Sequence, residues 1–424
     1  MKRVIATAGL SVLTLAAAAC SSSSSSTGSA TTPSSAAASS ASASALGTSA
    51  ASSSARPLTI FFFDEEGASA AASSPESFQA AEAAVDYVND NLGGIKGRPL
   101  KLIHCESLGT PDSVINCANQ AVDDKPDVVI KGVDVAGGSA VPIVTGAGIP
   151  YVTLNAGSPD EVDHTLAFSL TSGFAAQFAP VAAYAKTKGY KSVGVIYTNV
   201  QPLSTPLNGP FAQLLAKEGI TYVPEPVDIT SANVTSQYNA LVAKHVGAIL
   251  VVTSLGQCTA SLQARASLGD STPLFMSSSC NVPSALRAVP PSASNGAIFA
   301  FQDTSAVSSD ADTETYLRAM KTYEPSASVG SFAPSSFESI MDFYRAMLTA
   351  KNPSTLDAAS VATTLESAKK IPLFMGGGET FSCGVSYFAG EPSVCTSAAF
   401  LARYTDGTFS LVGAYNAAQL LKGL

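Results

Sequence analysis

Apolar residues follow two alternating patterns from residue 57 onward. Short runs of β-branched and aromatic residues are typical of buried strands, whereas apolar residues three or four positions apart are typical of helices. In Ser77–Leu92, for example, Phe78, Val85 and Val88 fall on one helical face. The alternation predicts an α/β fold of repeated β–α units, in which helices flank a mostly parallel sheet. Two such series predict two Rossmann-like lobes.

The boundaries of these elements can be read from the same pattern. The predicted strands are Leu58–Phe63, Pro99–His104, Asp127–Lys131, Pro150–Leu154, Ser192–Tyr197, Thr221–Pro224, Ala248–Thr253 and Pro273–Met276. The predicted helices are Ser77–Leu92, Pro111–Asp123, Ser139–Ala147, Phe174–Lys188, Leu207–Glu218, Val234–Lys244 and Thr259–Leu268.

The N-terminus has the pattern of an export signal. Lys2 and Arg3 precede the apolar run Val4–Ala19, which is shorter than the ~20 residues that a membrane helix needs. The run ends in A-A-A-C, which resembles the lipobox of bacterial lipoproteins, whose cysteine is lipidated after cleavage. We therefore expect a signal peptide over residues 1–19 and a lipid anchor on Cys20. The alternative is an ordinary cleaved signal in which Cys20 is incidental.

The segment after Cys20 is expected to be a disordered tether, over residues 20–56. Residues 21–55 contain 17 serines and 10 alanines, no charge, and Leu46 as the one large apolar side chain. Such a segment buries too little apolar surface to offset its ordering entropy. A tether after a lipidated cysteine would hold the folded part away from the outer face of the cytoplasmic membrane.

Composition excludes several classes of protein. The chain has 424 residues, more than a single domain of ~100–200 residues. Its net charge of −9 argues against binding to nucleic acid, whose phosphates attract basic surfaces. Hydrophobic residues make up 46% of the sequence, too many for a chain that is disordered throughout.

The cysteines agree with export. Six remain beside Cys20, and an even number outside the cytosol suggests disulfides, although six cysteines allow 15 connectivities. We favour pairing between sequence neighbours, because each pair closes a short loop. The favoured pairs are Cys105 with Cys117, Cys258 with Cys280, and Cys383 with Cys395. A metal site is not expected, since there is no C-x-x-C motif and His104, His164 and His245 are scattered.

Loops that follow the predicted strands are the expected place for a ligand. In open α/β sheets, ligands bind beyond the carboxyl ends of the strands, and two lobes can face each other across a cleft. These loops are rich in Gly, Ser, Thr and Asn, which suit anion binding near helix starts but are also ordinary turn residues. They are Asp64–Ser77, Gly132–Gly138, Asn155–Asp160, Thr198–Pro206, Ser254–Cys258 and Ser277–Val282.

Several motifs, in order, resemble type I periplasmic binding proteins of the branched-chain amino acid (Leu/Ile/Val-binding) family. Ala80–Leu102 reads A-A-E-A-A-V-D-Y-V-N-D-N-L-G-G-I-K-G-R-P-L-K-L, similar to the family's alanine-rich helix and G-G-x-x-G-R segment. Gly148–Pro150 resembles its G-I-P strand, and Asn155–Pro159 its S-A-x-x-P loop. Ser335–Leu348 resembles a late Y-D-A helix, and Phe374–Val412 a C-terminal hairpin with an added cysteine pair.

The resemblance implies a domain organisation and partners. Three chain crossings, near Phe168–Ser172, Ala300–Asp303 and Pro372–Gly378, would divide the chain into lobe 1 (residues 57–170 and 303–373) and lobe 2 (residues 171–302 and 374–424). Members of the family are usually monomers that close on a ligand about the hinge. They then deliver the ligand to the permease of an ABC importer.

The ligand-binding residues implied by the resemblance lie in the loops after the strands. Where the family has a serine after the third strand this chain has Asp134, and the acid that often binds the ligand ammonium is absent from Ser277–Cys280. An acid from lobe 1 could replace it, although Asp64–Glu66 could equally be a solvated loop or a helix cap. The hypothesis is a small polar ligand that differs from Leu, Ile or Val. The predicted contacts are Asp64, Glu65, Asp134, Ala136, Asn155, Ala156, Gly157, Asn199, Gln201, Ser254, Ser278 and Ser279.

Enzyme signatures are weak, so we expect a binding protein without a cofactor. The sequence has no G-x-S-x-G elbow and no Walker-type phosphate loop. Ser367–Lys370 matches S-x-x-K, but its companion motifs are missing. Two alternatives to an importer receptor remain. One is a receptor of the same fold that feeds a sensor, and the other is an exported hydrolase.

Overall fold

The structure, a computed structural model, describes residues 50–52, 54–66 and 73–424. The described residues belong to one compact unit. The expected signal peptide, Cys20 and nearly all of the expected tether lie outside the described residues and stay predictions. Within the described part of the chain, no helix is both long enough and apolar enough to cross a membrane.

The first sheet is entirely parallel, with the strand order β2-β1-β3-β4-β5. The middle of β1 is buried on both faces, as expected for an inner strand of a parallel sheet covered by helices, and Phe61, Phe62 and Phe63 are almost inaccessible. Its strands are β1 (Leu58–Glu65), β2 (Leu100–Ser107), β3 (Val128–Lys131), β4 (Tyr151–Thr153) and β5 (Ala167–Ser169).

The second sheet has the order β14-β13-β10-β9-β8-β6-β7. Five of its strands are parallel, and a C-terminal hairpin joins the edge in antiparallel orientation. The strands after β5 are β6 (Ser192–Thr198), β7 (Thr221–Val227), β8 (Ala248–Val252), β9 (Leu274–Ser277), β10 (Ile298–Phe301), β11 (Ile371–Pro372), β12 (Thr380–Phe381), β13 (Ala398–Thr405) and β14 (Thr408–Asn416). Strands β11 and β12 pair with each other in a small separate sheet.

Helices pack on the sheets and fill the connections. They are α1 (Pro75–Asn91), α2 (Pro111–Asp124), α3 (Val141–Gly146), α4 (Pro159–Val162), α5 (Gly173–Lys188), α6 (Gln201–Pro206), α7 (Ala212–Lys217), α8 (Thr235–Ala243), α9 (Leu255–Leu268), α10 (Pro283–Arg287), α11 (Pro291–Ser294), α12 (Ala311–Tyr323), α13 (Ala333–Met347), α14 (Ala358–Glu366) and α15 (Ala417–Leu420). Short 3₁₀ turns occupy Gly137–Ala140, Ser278–Cys280 and Pro353–Thr355, and a π-helical turn, Leu207–Phe211, links α6 to α7.

The predicted α/β class is confirmed, and two helix starts were placed too late. The helix predicted to begin at Leu207 begins at Gln201, because the π-helical turn carries Pro210 without ending the helix. The helix predicted from Thr259 begins at Leu255 instead. Both early turns lie directly after strands of the second sheet, so their backbone contributes to the surface at the strand ends.

Hydrogen bonds hold the chain near two of the places where it passes from one sheet to the other. Ser169, at the end of β5, donates its N–H to Ser393 and accepts from the N–H of Cys395, both at 2.8 Å. After β10 the chain runs to α12, whose Tyr323 hydroxyl accepts from Asn91 of α1 at 2.9 Å. The exact limits of the two lobes stay a prediction.

All three favoured disulfides are present in the structure. Cys105–Cys117 joins β2 to α2, and Cys258–Cys280 joins α9 to the turn after β9. Cys383–Cys395 closes the segment between β12 and β13.

Candidate functional site

A cavity lies between the carboxyl ends of the two sheets and has a volume of about 90 Å³. The first sheet contributes the loops after β1, β3 and β4. The second contributes the loops after β6, β7, β8 and β9, together with α5. The lining residues are Glu65, Val133, Asp134, Val135, Asn155, Phe174, Gln177, Phe178, Thr198, Val200, Pro202, Leu203, Ile229, Val252, Thr253, Ser254, Ser277, Ser278, Ser279 and Phe332.

Two buried carboxylates, Glu65 and Asp134, lie on the first-sheet side of the cavity. Glu65 is the last residue of β1, and its Oε2 accepts from the N–H of Val135 at 3.4 Å. Asp134 accepts from the Ser107 hydroxyl and, at 2.7 Å, from the N–H of Ala136. The alternative of a solvated loop is therefore wrong for Asp64 and Glu65, which are 0% and 1% exposed.

Both carboxyl groups bind protons more tightly than an ordinary acid. Burial, followed by the negative charge of Asp134, raises the pKa of Glu65 to about 7. Burial raises the pKa of Asp134 to about 6, although hydrogen bonds from Ser107 and Ala136 act in the opposite direction. These two groups can therefore accept a hydrogen bond or face a cation, and near neutral pH one of them can also donate.

The loop after β4 is held by a buried ion pair. Lys131 of β3 contacts Glu161, and its Nζ also donates to the carbonyl of Asn155 at 3.1 Å. The other oxygen of Glu161 accepts from the N–H groups of Gly157 and Ser158 at 3.1 Å each. Burial pushes the pKa of Glu161 upward, but the charge of Lys131 and these hydrogen bonds outweigh it, so the pKa is lowered. The pair fixes the backbone beside the cavity.

The second-sheet side of the cavity is rich in hydroxyl groups. The Ser279 hydroxyl donates to the carbonyl of Thr253 at 3.0 Å, and Gln177 donates to the Ser278 hydroxyl at 3.2 Å. Ser254 comes before the first residue of α9, and its buried hydroxyl has no hydrogen-bond partner in the structure. Because a buried polar group without a partner is unfavourable, this hydroxyl is well suited to meet a ligand.

Half of the lining residues are apolar. They include Phe174 and Phe178 of α5, Val200 before α6, Leu203 within α6, and Phe332 before α13. Such walls favour a ligand with an apolar part, since burial of apolar surface contributes roughly 25 cal/mol per Å². The carboxylates and hydroxyls would orient a polar part.

The structure brings together half of the ligand contacts predicted from sequence. Glu65, Asp134, Asn155, Ser254, Ser278 and Ser279 line the cavity. Ala136 and Gln201 line a neighbouring depression, and Ala156 and Gly157 line another beside α4. Asp64 instead pairs with His104, and Asn199 bonds to the backbone of β7. All twelve residues remain predictions as ligand contacts.

The apolar lining was missed because candidates were chosen for polarity. Val133 and Val135 alternate with Asp134, and Phe174 and Phe178 lie one helical turn apart at the start of a predicted helix. That spacing was visible in the sequence, but it is also the spacing of ordinary core residues. The position of Phe332 in the cavity gave no such signal, because Phe332 lies in a loop far along the chain from the other lining residues.

One family model matches most of the chain. The family model described as "Periplasmic binding protein" matches residues 61–420. No curated protein matches the sequence.

Similar solved structures share the fold at low identity. A leucine-binding protein from Thermotoga maritima has a TM-score of 0.68 and 15% identity, over 85% of this chain and 99% of that one. A fatty acid ABC transporter substrate-binding protein from Thermomonospora curvata has a TM-score of 0.73 and 14% identity, over 89% and 96%. A possible leucine/isoleucine/valine-binding protein from Rhodopirellula baltica has a TM-score of 0.71 and 15% identity, over 85% and 97%.

Proposed function

The chain belongs to the periplasmic binding protein family, and we propose that it captures a small molecule between its two sheets for delivery to the permease of an ABC importer. The observation that carries the proposal is the cavity, which is lined by strand-end loops of both sheets. A ligand held from both sides stabilises the arrangement in which the lobes are closed. A permease that recognises this arrangement would respond only to the loaded receptor.

We propose that the ligand combines an apolar body with a polar or cationic end. The apolar residues from α5 and the loops of the second sheet would cover the body, and Glu65 and Asp134 would face the polar end. This modifies the hypothesis of a small polar ligand. The similar structures include a leucine-binding protein and a fatty acid ABC transporter substrate-binding protein, and leucine and fatty acids both have a large apolar part.

A thermal-shift screen tests this proposal. The panel contains aliphatic and aromatic amino acids, their amides, the corresponding primary amines, short-chain fatty acids, and small polar molecules without an apolar part, such as glycine and urea. A ligand at ~100 times its dissociation constant stabilises the folded state by ~2.7 kcal/mol, which raises the melting temperature measurably. We expect a hit among compounds with an apolar body. Hits confined to small molecules without an apolar part would contradict the proposed ligand class.

Substitution of one acid tests the role of the carboxylates. Asp134→Asn should weaken binding of an amine-bearing hit by ~10-fold or more, because the cation loses its buried counter-charge. Asp124→Asn, at the exposed end of α2, is the control and should bind normally. Equal affinity of both variants would show that Asp134 does not face the ligand.

A receptor that delivers its ligand to a permease must stay near the membrane. We propose that Cys20 carries lipid and that the protein acts as a monomer. Mass spectrometry of the membrane-extracted protein checks the first point, since a mass that fits unmodified Cys20 would overturn it. Light scattering of the protein in solution checks the second.

A further inference from the structure

We propose that Asp64, Glu66 and His104 form a binding site for a divalent transition-metal ion, separate from the ligand cavity. One possible donor atom from each residue lies within 4.8 Å of the others. The Nε2 of His104 is 2.9 Å from Oδ1 of Asp64. Two donors bound at ~2.0–2.2 Å from one tetrahedral ion lie ~3.3–3.6 Å apart, so His104 and Asp64 would separate slightly to admit an ion and Glu66 would turn toward it. No metal site was predicted from the sequence, in which the three histidines are scattered.

The strand register explains how residues forty positions apart meet. Strands β1 and β2 are parallel neighbours in which Phe62 is paired with His104 and Asp64 with Glu106. The ring of Phe78 from α1 stacks on the His104 ring, with centroids 3.7 Å apart and planes 6° apart. This stacking holds the imidazole beside Asp64. Two strands and one helix therefore position the site.

One carboxylate oxygen of Asp64 is buried without a hydrogen bond from any described residue. The side chain is 0% exposed, and its Oδ2 has no hydrogen-bond partner among the residues that the structure describes. The nearby Ser77 hydroxyl shares a 2.9 Å hydrogen bond with Ser336. A buried carboxylate oxygen without a partner is costly, and a bound cation would compensate it.

The local charge also favours a cation. Strand register pairs Asp64 with Glu106, and Glu66 and Glu76 also lie close enough to Asp64 for their charges to interact with it. Three further acids thus lie near Asp64, so the site has an excess of negative charge.

The donor set indicates the class of metal. One imidazole nitrogen and two carboxylate oxygens suit Zn²⁺, Co²⁺ or Mn²⁺, whereas Ca²⁺ and Mg²⁺ prefer oxygen ligands alone. When the ion binds, it replaces any proton that Nε2 shares with Asp64, and that proton leaves to solvent. His104 and Glu66 are partly exposed, so an ion can enter from solvent.

The site is distinct from the cavity described above. Asp64, Glu66 and His104 are absent from the residues that line it, although the adjacent Glu65 does line it. A metal here would fix the end of β1 and the start of the following loop. Metal binding and capture of the proposed ligand can therefore be measured separately.

The test uses the tag-free protein, so that an affinity tag adds no histidines. Zn²⁺ is titrated by calorimetry, and the bound metal is counted after dialysis. Co²⁺ is added in parallel, because its visible absorption reports the coordination geometry of the bound ion. The variants are Asp64→Asn and His104→Gln, with His245→Gln, a substitution of an exposed histidine, as the control. Circular dichroism of each metal-free variant establishes that it is folded.

We expect one equivalent of Zn²⁺ in the wild type and in His245→Gln. Affinity should fall by about 10-fold or more in each of the other two variants, with loss of the Co²⁺ spectrum in His104→Gln. Absence of stoichiometric Zn²⁺ in the wild type would overturn the proposal and leave His104 as an ion-pair partner of Asp64. Undiminished binding in folded His104→Gln would overturn it as well. Ligand hits from the thermal-shift screen should persist in His104→Gln, which changes none of the predicted ligand contacts, so failure of this site is distinguishable from failure of the proposed receptor function.

Discussion

Single residues decide how firmly the walls of the cavity are held, and the Lys131–Glu161 pair shows why. Both side chains are buried, at 3% and 1% exposed, and Glu161 accepts from the N–H groups of Gly157 and Ser158 in the loop after β4. Removal of one member of a buried pair leaves the other charge uncompensated, which costs ~3–5 kcal/mol. A pair at the surface contributes only ~0–1 kcal/mol.

Lys131→Met should therefore lower the free energy of unfolding by ~3–5 kcal/mol, measured by urea denaturation. Lys186→Met is the matched control, since Lys186 pairs with Glu218 at the surface and is 58% exposed. It should change stability by less than ~1 kcal/mol. The double variant Lys131→Met/Glu161→Gln should recover part of the loss. Equal effects of the two lysine substitutions would refute the assigned role of the buried pair.

Sequence reasoning at the residue scale found the cysteine pairs but only part of the cavity. Neighbouring cysteines close short loops, so chain spacing alone favoured the correct pairs. The metal-site residues Asp64 and His104 were noted separately, but their contact depends on strand pairing. Contacts made across strands, such as this one, are not encoded in local spacing.

At the scale of elements, α13 carries two buried acids that no nearby base fully neutralises. Glu338 and Asp342 lie one turn apart and are both 0% exposed. Asp342 accepts from the N–H of Phe374 at 2.7 Å, whereas neither oxygen of Glu338 has a partner in the structure. Burial, followed for Glu338 by the charges of Asp342 and Asp303, raises the pKa of both carboxyl groups.

This helix should make stability depend on pH. A carboxyl whose pKa is higher in the folded state holds its proton more tightly when folded. Its stabilising contribution is thus complete below the ordinary carboxyl range and is lost as pH rises through the folded value. Glu338→Gln should raise the free energy of unfolding at pH 8 relative to the wild type, with a smaller gain or a loss at pH 5.

Chemical denaturation at the two pH values measures this difference. Glu366→Gln, on the exposed surface of α14, is the control and should leave the pH dependence as in the wild type. A Glu338→Gln variant that is destabilised equally at both pH values would contradict the account, because it would show that the carboxyl is not a source of the pH dependence.

Element boundaries were predictable where periodicity is strong and were misplaced where proline interrupts it. The pattern in α1 and the aromatic run in β1 identified both elements. A loop was predicted over Thr198–Pro206, yet the structure is helical from Gln201 and continues through a π-helical turn. The buried strand β5 has only three residues, too few for periodicity to reveal.

At the scale of the whole molecule, two mostly parallel sheets bring together loops that are far apart in the sequence. The α/β class followed from the alternation of elements, and the order of motifs indicated the family. From the sequence, the cavity could be placed only among the strand-end loops, because its apolar half depends on how α5 and Phe332 approach those loops. We propose that this apolar half selects the ligand.

The most direct test of the central claim is calorimetric titration of the best screening hit into a variant whose cavity is filled. Ser254→Trp places a large side chain at the unpartnered hydroxyl, in a cavity of about 90 Å³. Ser267→Trp is the matched control, because Ser267 lies on the exposed side of α9, the helix that Ser254 precedes. The account predicts one ligand per chain for the wild type and Ser267→Trp, and no measurable binding for folded Ser254→Trp. Wild-type affinity in Ser254→Trp would show that the ligand binds elsewhere.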